Sequence, residues 1–165
     1  MSAILWRVLY SGLWCIVLPL ALLRLYWRGR KQPAYRQHIA ERLGYYTQAK
    51  GFYIWVHAVS VGEVRAAQPL VTALLQRYPQ HTVLISCMTP TGRATAESLF
   101  KERVCVVYLP YDLSSMMRRF LRYFQPAFGL IIETELWVNC IHACHQQGIP
   151  LMLLNARLSE KSAKG

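Results

Sequence analysis

Only 8 of the 165 residues are Asp or Glu, so each carboxylate's position carries information. One is in Ser60-Val61-Gly62-Glu63, directly after the apolar run Phe52-Tyr53-Ile54-Trp55-Val56. Two more, Glu133 and Glu135, close the run Gly129-Leu130-Ile131-Ile132. A carboxylate where a strand hands over to a helix can take a proton from a hydroxyl, or it can cap the helix. Ser60 to Glu63 fits the S-x-x-E capping box, in which serine accepts from the backbone at Glu63 and glutamate reaches back to Ser60. By pattern alone, capping is the stronger reading. The two roles are separable, because a cap needs only an acceptor and tolerates glutamine, whereas a general base needs the charge. If strand geometry persists to Glu133, its side chain and that of Glu135 share a side, and two close carboxylates raise one pKa. Glu135 or Thr134 is also a candidate cap for the next helix. Glu133 has no such role, and a carboxylate ending a buried strand needs a partner or a function.

Other candidate chemistries are weaker. Met88-Thr89-Pro90-Thr91-Gly92 can cradle a phosphate on backbone amides, yet it lacks the P-loop lysine and also reads as a turn capped by Thr91. Asp112 reads as the N-cap of a helix from Leu113. Cys140 and Cys144 in Cys-Ile-His-Ala-Cys-His suggest a metal, but with Leu136, Trp137 and Ile141 they form an i, i+3/i+4 stripe typical of a helix core. No second ligand pair accompanies them, so no metal site is expected. Five cysteines, an odd number in apolar settings, read as reduced thiols. Arg118, Arg119 and Arg122 read as a solvated face opposite Met117, Phe120, Leu121 and Phe124, with membrane-surface contact as the second choice.

The elements that must position these residues follow from hydrophobic periodicity. Nearly continuous apolar runs predict strands at 52–59, 82–87, 104–108, 127–132 and 150–154, alternating with helices near 63–77, 92–101, 113–124 and 136–147. This βαβα order predicts an α/β fold, an open, Rossmann-like parallel sheet with right-handed crossovers. Ligands of such sheets bind beyond the carboxyl ends of the strands, and the Glu63, Thr89, Asp112, Glu133 and Asn155 segments all fall on that rim.

The charge is uneven. Residues 1–50 hold eight basic side chains (Arg7, Arg24, Arg28, Arg30, Lys31, Arg36, Arg42, Lys50) and one acid, Glu41, so they supply seven of the net +11. Between Arg7 and Arg24 lie 16 uncharged residues, with Trp6, Tyr26 and Trp27 placed as an aromatic belt would be. Residues 1–27 are therefore expected to form a membrane-anchor helix, followed by a basic juxtamembrane linker over 28–50 and the sheet domain over 51–165. No small-residue cleavage site follows, which argues against a removed signal peptide. Under the positive-inside rule the Arg24–Arg36 cluster stays cytoplasmic. A net +11 would also suit a nucleic-acid binder, but charge concentrated beside an apolar helix argues for a membrane and against nucleic acid.

Taken in order, His57-Ala58-Val59-Ser60-Val61-Gly62-Glu63-Val64, Met-Thr-Pro-Thr-Gly, Tyr108-Leu109-Pro110-Tyr111-Asp112, Glu133-Thr134-Glu135-Leu136-Trp137 with Asn139, and Asn155-Ala156-Arg157-Leu158-Ser159 behind an apolar anchor resemble the 3-deoxy-D-manno-octulosonic acid (Kdo) transferases of Gram-negative bacteria. The resemblance implies an inverting, metal-independent GT-B glycosyltransferase without cofactor. Such an enzyme moves Kdo from CMP-Kdo to the lipid A precursor at the cytoplasmic face of the inner membrane, in lipopolysaccharide biosynthesis. It implies that Glu63 is the general base and that Glu133 stabilises the transition state or orients the acceptor. Ser60, Gly62, Thr89, Thr91, Glu135, Asn155 and Arg157 are the rim residues expected to contact substrate. The chain ends at Gly165, so the resemblance covers only the acceptor-side half, and the CMP-Kdo domain is expected to be absent. A catalytically inactive, membrane-associated phosphoglycolipid-binding fragment is the alternative. Where the family pattern has proline after the tryptophan, this chain has Val138, which fixes the helix start less firmly.

Overall fold

The computed structural model describes residues 3–133 and 137–154. Helix α1 (Ala3–Lys31) leads through a 3-10 turn (Pro33–Arg36) into the short α2 (Ile39–Arg42). Then come β1 (Tyr53–His57), α3 (Val61–Ala66), α4 (Gln68–Arg77), β2 (Thr82–Cys87), α5 (Pro90–Phe100), β3 (Val104–Tyr108), α6 (Ser114–Phe124), β4 (Pro126–Ile132), α7 (Val138–Gln146) and β5 (Leu151–Leu154). The five strands form one parallel sheet in the order β3-β2-β1-β4-β5. The α/β reading holds, with each strand and helix within a few residues of its expected span. The expected helix over 63–77 divides into α3 and α4 at Ala67, one residue ahead of the Gln68-Pro69 start of α4.

Side-chain alternation explains the layering. Along β1, Ile54 and Val56 join a core of Val71, Val83, Ile85 and Phe100 on one face, while Tyr53 and Trp55 join Met117, Phe120, Phe124, Cys140 and Cys144 on the other. A sheet covered on both faces needs apolar residues at every position, which is why β1 is buried throughout. Cys140 and Cys144 are thus core residues of α7. Arg118 and Arg122 of α6 face outward as the pattern implied, but Arg119 is half-buried, donating to Leu43 O at 2.9 Å and lying over the Tyr45 ring.

Residues 28–50 do more than connect. Glu41 and Arg42 are buried and Tyr46 packs among Phe120, Tyr123 and Phe124, so this segment lies on the domain. Glu41 binds Arg93 through one oxygen, which also accepts from Tyr108 N at 2.8 Å, and Gln48 through the other at 2.9 Å.

Helix α1 runs along the rim of the domain. Its Tyr10 hydroxyl donates to Asp112 at 2.8 Å, Trp14 packs at a tilt against Tyr111 and Trp137, and Leu25, about 22 Å along the helix from Tyr10, is buried. The opposite stripe, Trp6, Leu9, Leu13, Ile16, Leu20, Leu23 and Trp27, is exposed. By length and composition Leu9–Lys31 is long and apolar enough to cross a membrane.

Candidate active site

The strand order places a topological switch point between β1 and β4. From β1 the chain builds outward to β2 and β3 on one side, and β4 and β5 fill the other, so the crevice beyond β1 and β4 is where such sheets bind ligands. Glu63 follows β1 and Glu133 follows β4. His57 pairs with Ile131 in register, so counting on brings Val59 abreast of Glu133.

Ser60 is the N-cap of α3, in extended geometry (φ −121°, ψ 172°), and its Oγ lies 3.5 Å from Glu63 N. The Glu63 carboxylate folds back over this helix start: Oε1 accepts from Ser60 Oγ at 2.8 Å and Oε2 from Val59 N at 2.7 Å. The expected capping box is therefore present but displaced by one residue, since the backbone donor is Val59 rather than Ser60. The result ties the last residue of the strand exit to the first turn of the helix. Glu63 is 7% exposed, with one donor on each oxygen. Each carboxylate oxygen has two lone pairs, so one on each remains for a substrate hydroxyl.

The Thr89 loop is locked to the Glu63 loop through Val59. The Val59 carbonyl accepts from Thr89 Oγ1 at 3.1 Å and from the Met88 and Thr89 amides at 3.3 Å. Thr89, not Thr91, caps α5: the helix begins two residues earlier than expected, with Pro90 at its first position, and Thr89 Oγ1 accepts from Gly92 N at 3.1 Å. Thr91 is an exposed residue of the first turn. Gly92 must lack a side chain, because a Cβ there would sit 2.9 Å from both Val59 O and Thr89 Oγ1. Gly62 lies exposed at the start of α3.

Asp112 also departs from expectation. Helix α6 has Leu113 as its N-cap, which leaves Asp112 one position too early to reach the helix amides. Instead its carboxylate caps α7, accepting from Asn139 N at 2.9 Å and Cys140 N at 2.8 Å, and receives Tyr10 of α1. Burial raises its pKa above the usual carboxylate range, although these three donors pull it down. Asp112 also supplies what Val138 does not, since it holds the start of α7 through Asn139, whose amide donates to Asp112 O and whose Oδ1 accepts from Ser114 Oγ.

Glu133 is half-buried and donates its amide to Leu154 O at 2.8 Å, in a left-handed conformation (φ 63°) that non-glycine residues seldom adopt. Such strain costs about 1–3 kcal/mol and concentrates at functional sites. Beneath the rim, His57 is fully buried: Nδ1 lies 2.8 Å from Ser86 Oγ and 3.1 Å from Ser86 O, and burial holds its pKa down at about 4. It belongs to the core rather than the site. Glu135, Asn155 and Arg157 lie outside the described residues.

Residues 37–165 match the family described as 3-deoxy-D-manno-octulosonic-acid transferase (kdotransferase). The chain belongs to the Kdo transferase family. It is 42% identical over 163 residues to a 3-deoxy-D-manno-octulosonic acid transferase of Haemophilus influenzae, covering 96% of this chain and 38% of that protein. It is 46% identical over 116 residues to the enzyme of the same name from Bordetella pertussis, covering 67% of this chain and 27% of that protein. A Rickettsia felis enzyme of that name is 37% identical over 111 residues, covering 67% and 24%. The chain thus spans well under half the length of these Kdo transferases. Sequence reasoning missed Arg42 and Arg93, which looked like ordinary basic residues; the nearby lone acid, Glu41, was the available signal.

Proposed function

We propose that this chain is the acceptor-side half of an inverting Kdo transferase acting in lipopolysaccharide biosynthesis, with Glu63 as general base. The observation that carries the reading is the position of Glu63: a carboxylate at a helix start, beyond the carboxyl end of the first strand, on one side of the switch point and with Glu133 on the other. A hydroxyl of the lipid A precursor attacks the anomeric carbon of CMP-Kdo. As that C–O bond forms, the hydroxyl proton passes to Glu63, and the bond from the anomeric carbon to the CMP phosphate oxygen breaks, CMP leaving with the electron pair. The hydrogen bonds from Ser60 Oγ and Val59 N fix the carboxylate in place to receive that proton. Glu133 opposes positive charge developing on the donor sugar. The CMP-Kdo site belongs to a carboxyl-terminal half of the kind the longer relatives possess.

The enzyme acts at the cytoplasmic face of the inner membrane. Helix α1 touches the domain from Tyr10 to Leu25, which favours its lying along the bilayer surface with the Leu9-Leu13-Ile16-Leu20 stripe inserted. A second reading, a phosphoglycolipid-binding unit without catalysis, draws support from the low exposure of Glu63. The deciding experiment joins this chain to the carboxyl-terminal remainder of the Haemophilus influenzae relative and assays transfer from CMP-Kdo to the lipid A precursor. The account predicts turnover; a folded, membrane-bound chimera that binds both substrates without transfer would favour the binding unit.

A further inference from the structure

A cavity of about 370 Å³ opens between α1 and the loops that follow β2 and β3. Val17, Leu20 and Ala21 form an apolar wall, and Arg24, Arg28 and Arg42 a cationic one, with no acidic side chain among the described lining residues. Arg42 is the unusual member, being 2% exposed. Its Nη1 donates to Met88 O at 3.1 Å, and its guanidinium lies over the Tyr108 ring, 3.8 Å from the centroid. Its Nε and Nη2 are buried with no hydrogen-bond partner. Two orphaned donors on a buried cation are costly unless an anion completes the set. The adjacent acid does not serve, because neither Glu41 oxygen lies within hydrogen-bond reach of these two nitrogens: Oε2 takes Arg93 and Tyr108 N, and Oε1 faces Gln48 and His38.

We infer that this cavity binds the phosphate monoester of an amphiphile. The phosphate docks on Arg42 with Arg24 and Arg28 at the mouth, and the first part of an acyl chain runs along the apolar wall. The planar fork of arginine matches phosphate oxygens, and three cations without an acid suit a dianionic monoester better than a singly charged diester. The apolar wall, continuous with α1, is of no use to a free ion. Thr89 also lines the cavity, and its hydroxyl donates to Val59 O while Val59 N holds Glu63. A headgroup held there lies one loop away from Glu63. The inference deepens the acceptor-side reading and rests on it for the role of the ligand, though not for the binding itself.

Binding is measured by calorimetry on the full chain in dodecyl maltoside micelles, with added phosphatidic acid (a monoester), phosphatidylglycerol (a diester) or inorganic phosphate. Phosphatidic acid should bind one per chain, at least about tenfold tighter than either of the others. Arg42→Gln should weaken it by about tenfold or more. Because Arg42 also packs on Tyr108, the double variant Arg24→Gln/Arg28→Gln, both exposed, provides a second test and should weaken binding to a similar degree without altering the thermal transition. Equal affinity for the two lipids, unchanged in the double variant, would reduce the effect to surface adsorption and overturn the inference. Inorganic phosphate binding as tightly as phosphatidic acid would overturn its amphiphile component. No turnover enters the measurement, so its failure would leave the transfer reading standing, and failure of transfer would leave this result standing.

Discussion

Replacing Asp112 by alanine tests how the rim is held together. In the structure its carboxylate accepts from Asn139 N, Cys140 N and the Tyr10 hydroxyl, at 2.8–2.9 Å. Asn139 and Cys140 are each 1% exposed, so water cannot replace the lost acceptor at either amide. Two orphaned buried donors cost about 1–3 kcal/mol each, and the half-buried Tyr10 hydroxyl adds less, for a total of about 4 kcal/mol. Had Asp112 capped only the solvent-facing start of α6, the cost would be that of a helix cap, about 1 kcal/mol. Urea denaturation in neutral detergent, followed by tryptophan fluorescence, separates these values. Tyr10→Phe should cost about 1 kcal/mol or less, and the Asp112→Ala/Tyr10→Phe pair should be clearly non-additive, because both remove one contact. A loss under about 1.5 kcal/mol for Asp112→Ala, or full additivity of the pair, would refute the claim that this carboxylate joins α1 and α7.

Two further predictions concern the core and the loops. His57 has its pKa lowered to about 4 in the folded chain against about 6.5 when unfolded, so the stability it contributes is present above pH 6.5 and is lost as pH falls towards 4, by about 3 kcal/mol in all. The slope of stability against pH in that window should flatten in His57→Leu, and an unchanged slope would contradict the assignment. Gly92→Ala forces a Cβ to 2.9 Å from Val59 O and should cost about 1–3 kcal/mol, whereas Gly62→Ala meets only Ser60 Oγ at 3.8 Å and should fold normally. Thermal melts of the two variants compare them directly.

Much of this organisation was legible in the residues. Strands buried on both faces are unbroken apolar runs, so β1, β2 and β3 lie where hydropathy placed them. The S-x-x-E pattern correctly marked a capped helix start at Ser60, because that interaction is local. Capping by Thr89 and Asp112 was misread because each depends on the first helical residue, and helix ends shift by a residue or two without changing any pattern. Asp112 capping a helix that begins 26 positions later is a tertiary fact with no local trace. Arg42 was obscured for the same reason, since in a basic stretch only the fold distinguishes a buried guanidinium from solvated ones. The left-handed backbone of Glu133 likewise depends on Leu154, the far edge of the sheet.

The most direct measurement of the central claim is the turnover of Glu63→Gln in the full-length chimera, alongside its stability. Glutamine keeps an acceptor for Val59 N or Ser60 Oγ, so folding should weaken by only about 1 kcal/mol. Removing the proton acceptor should lower kcat by about 10²–10⁴-fold with little change in acceptor KM. A variant that turns over at close to the parental rate would show that this carboxylate is a helix cap and that the proton goes elsewhere.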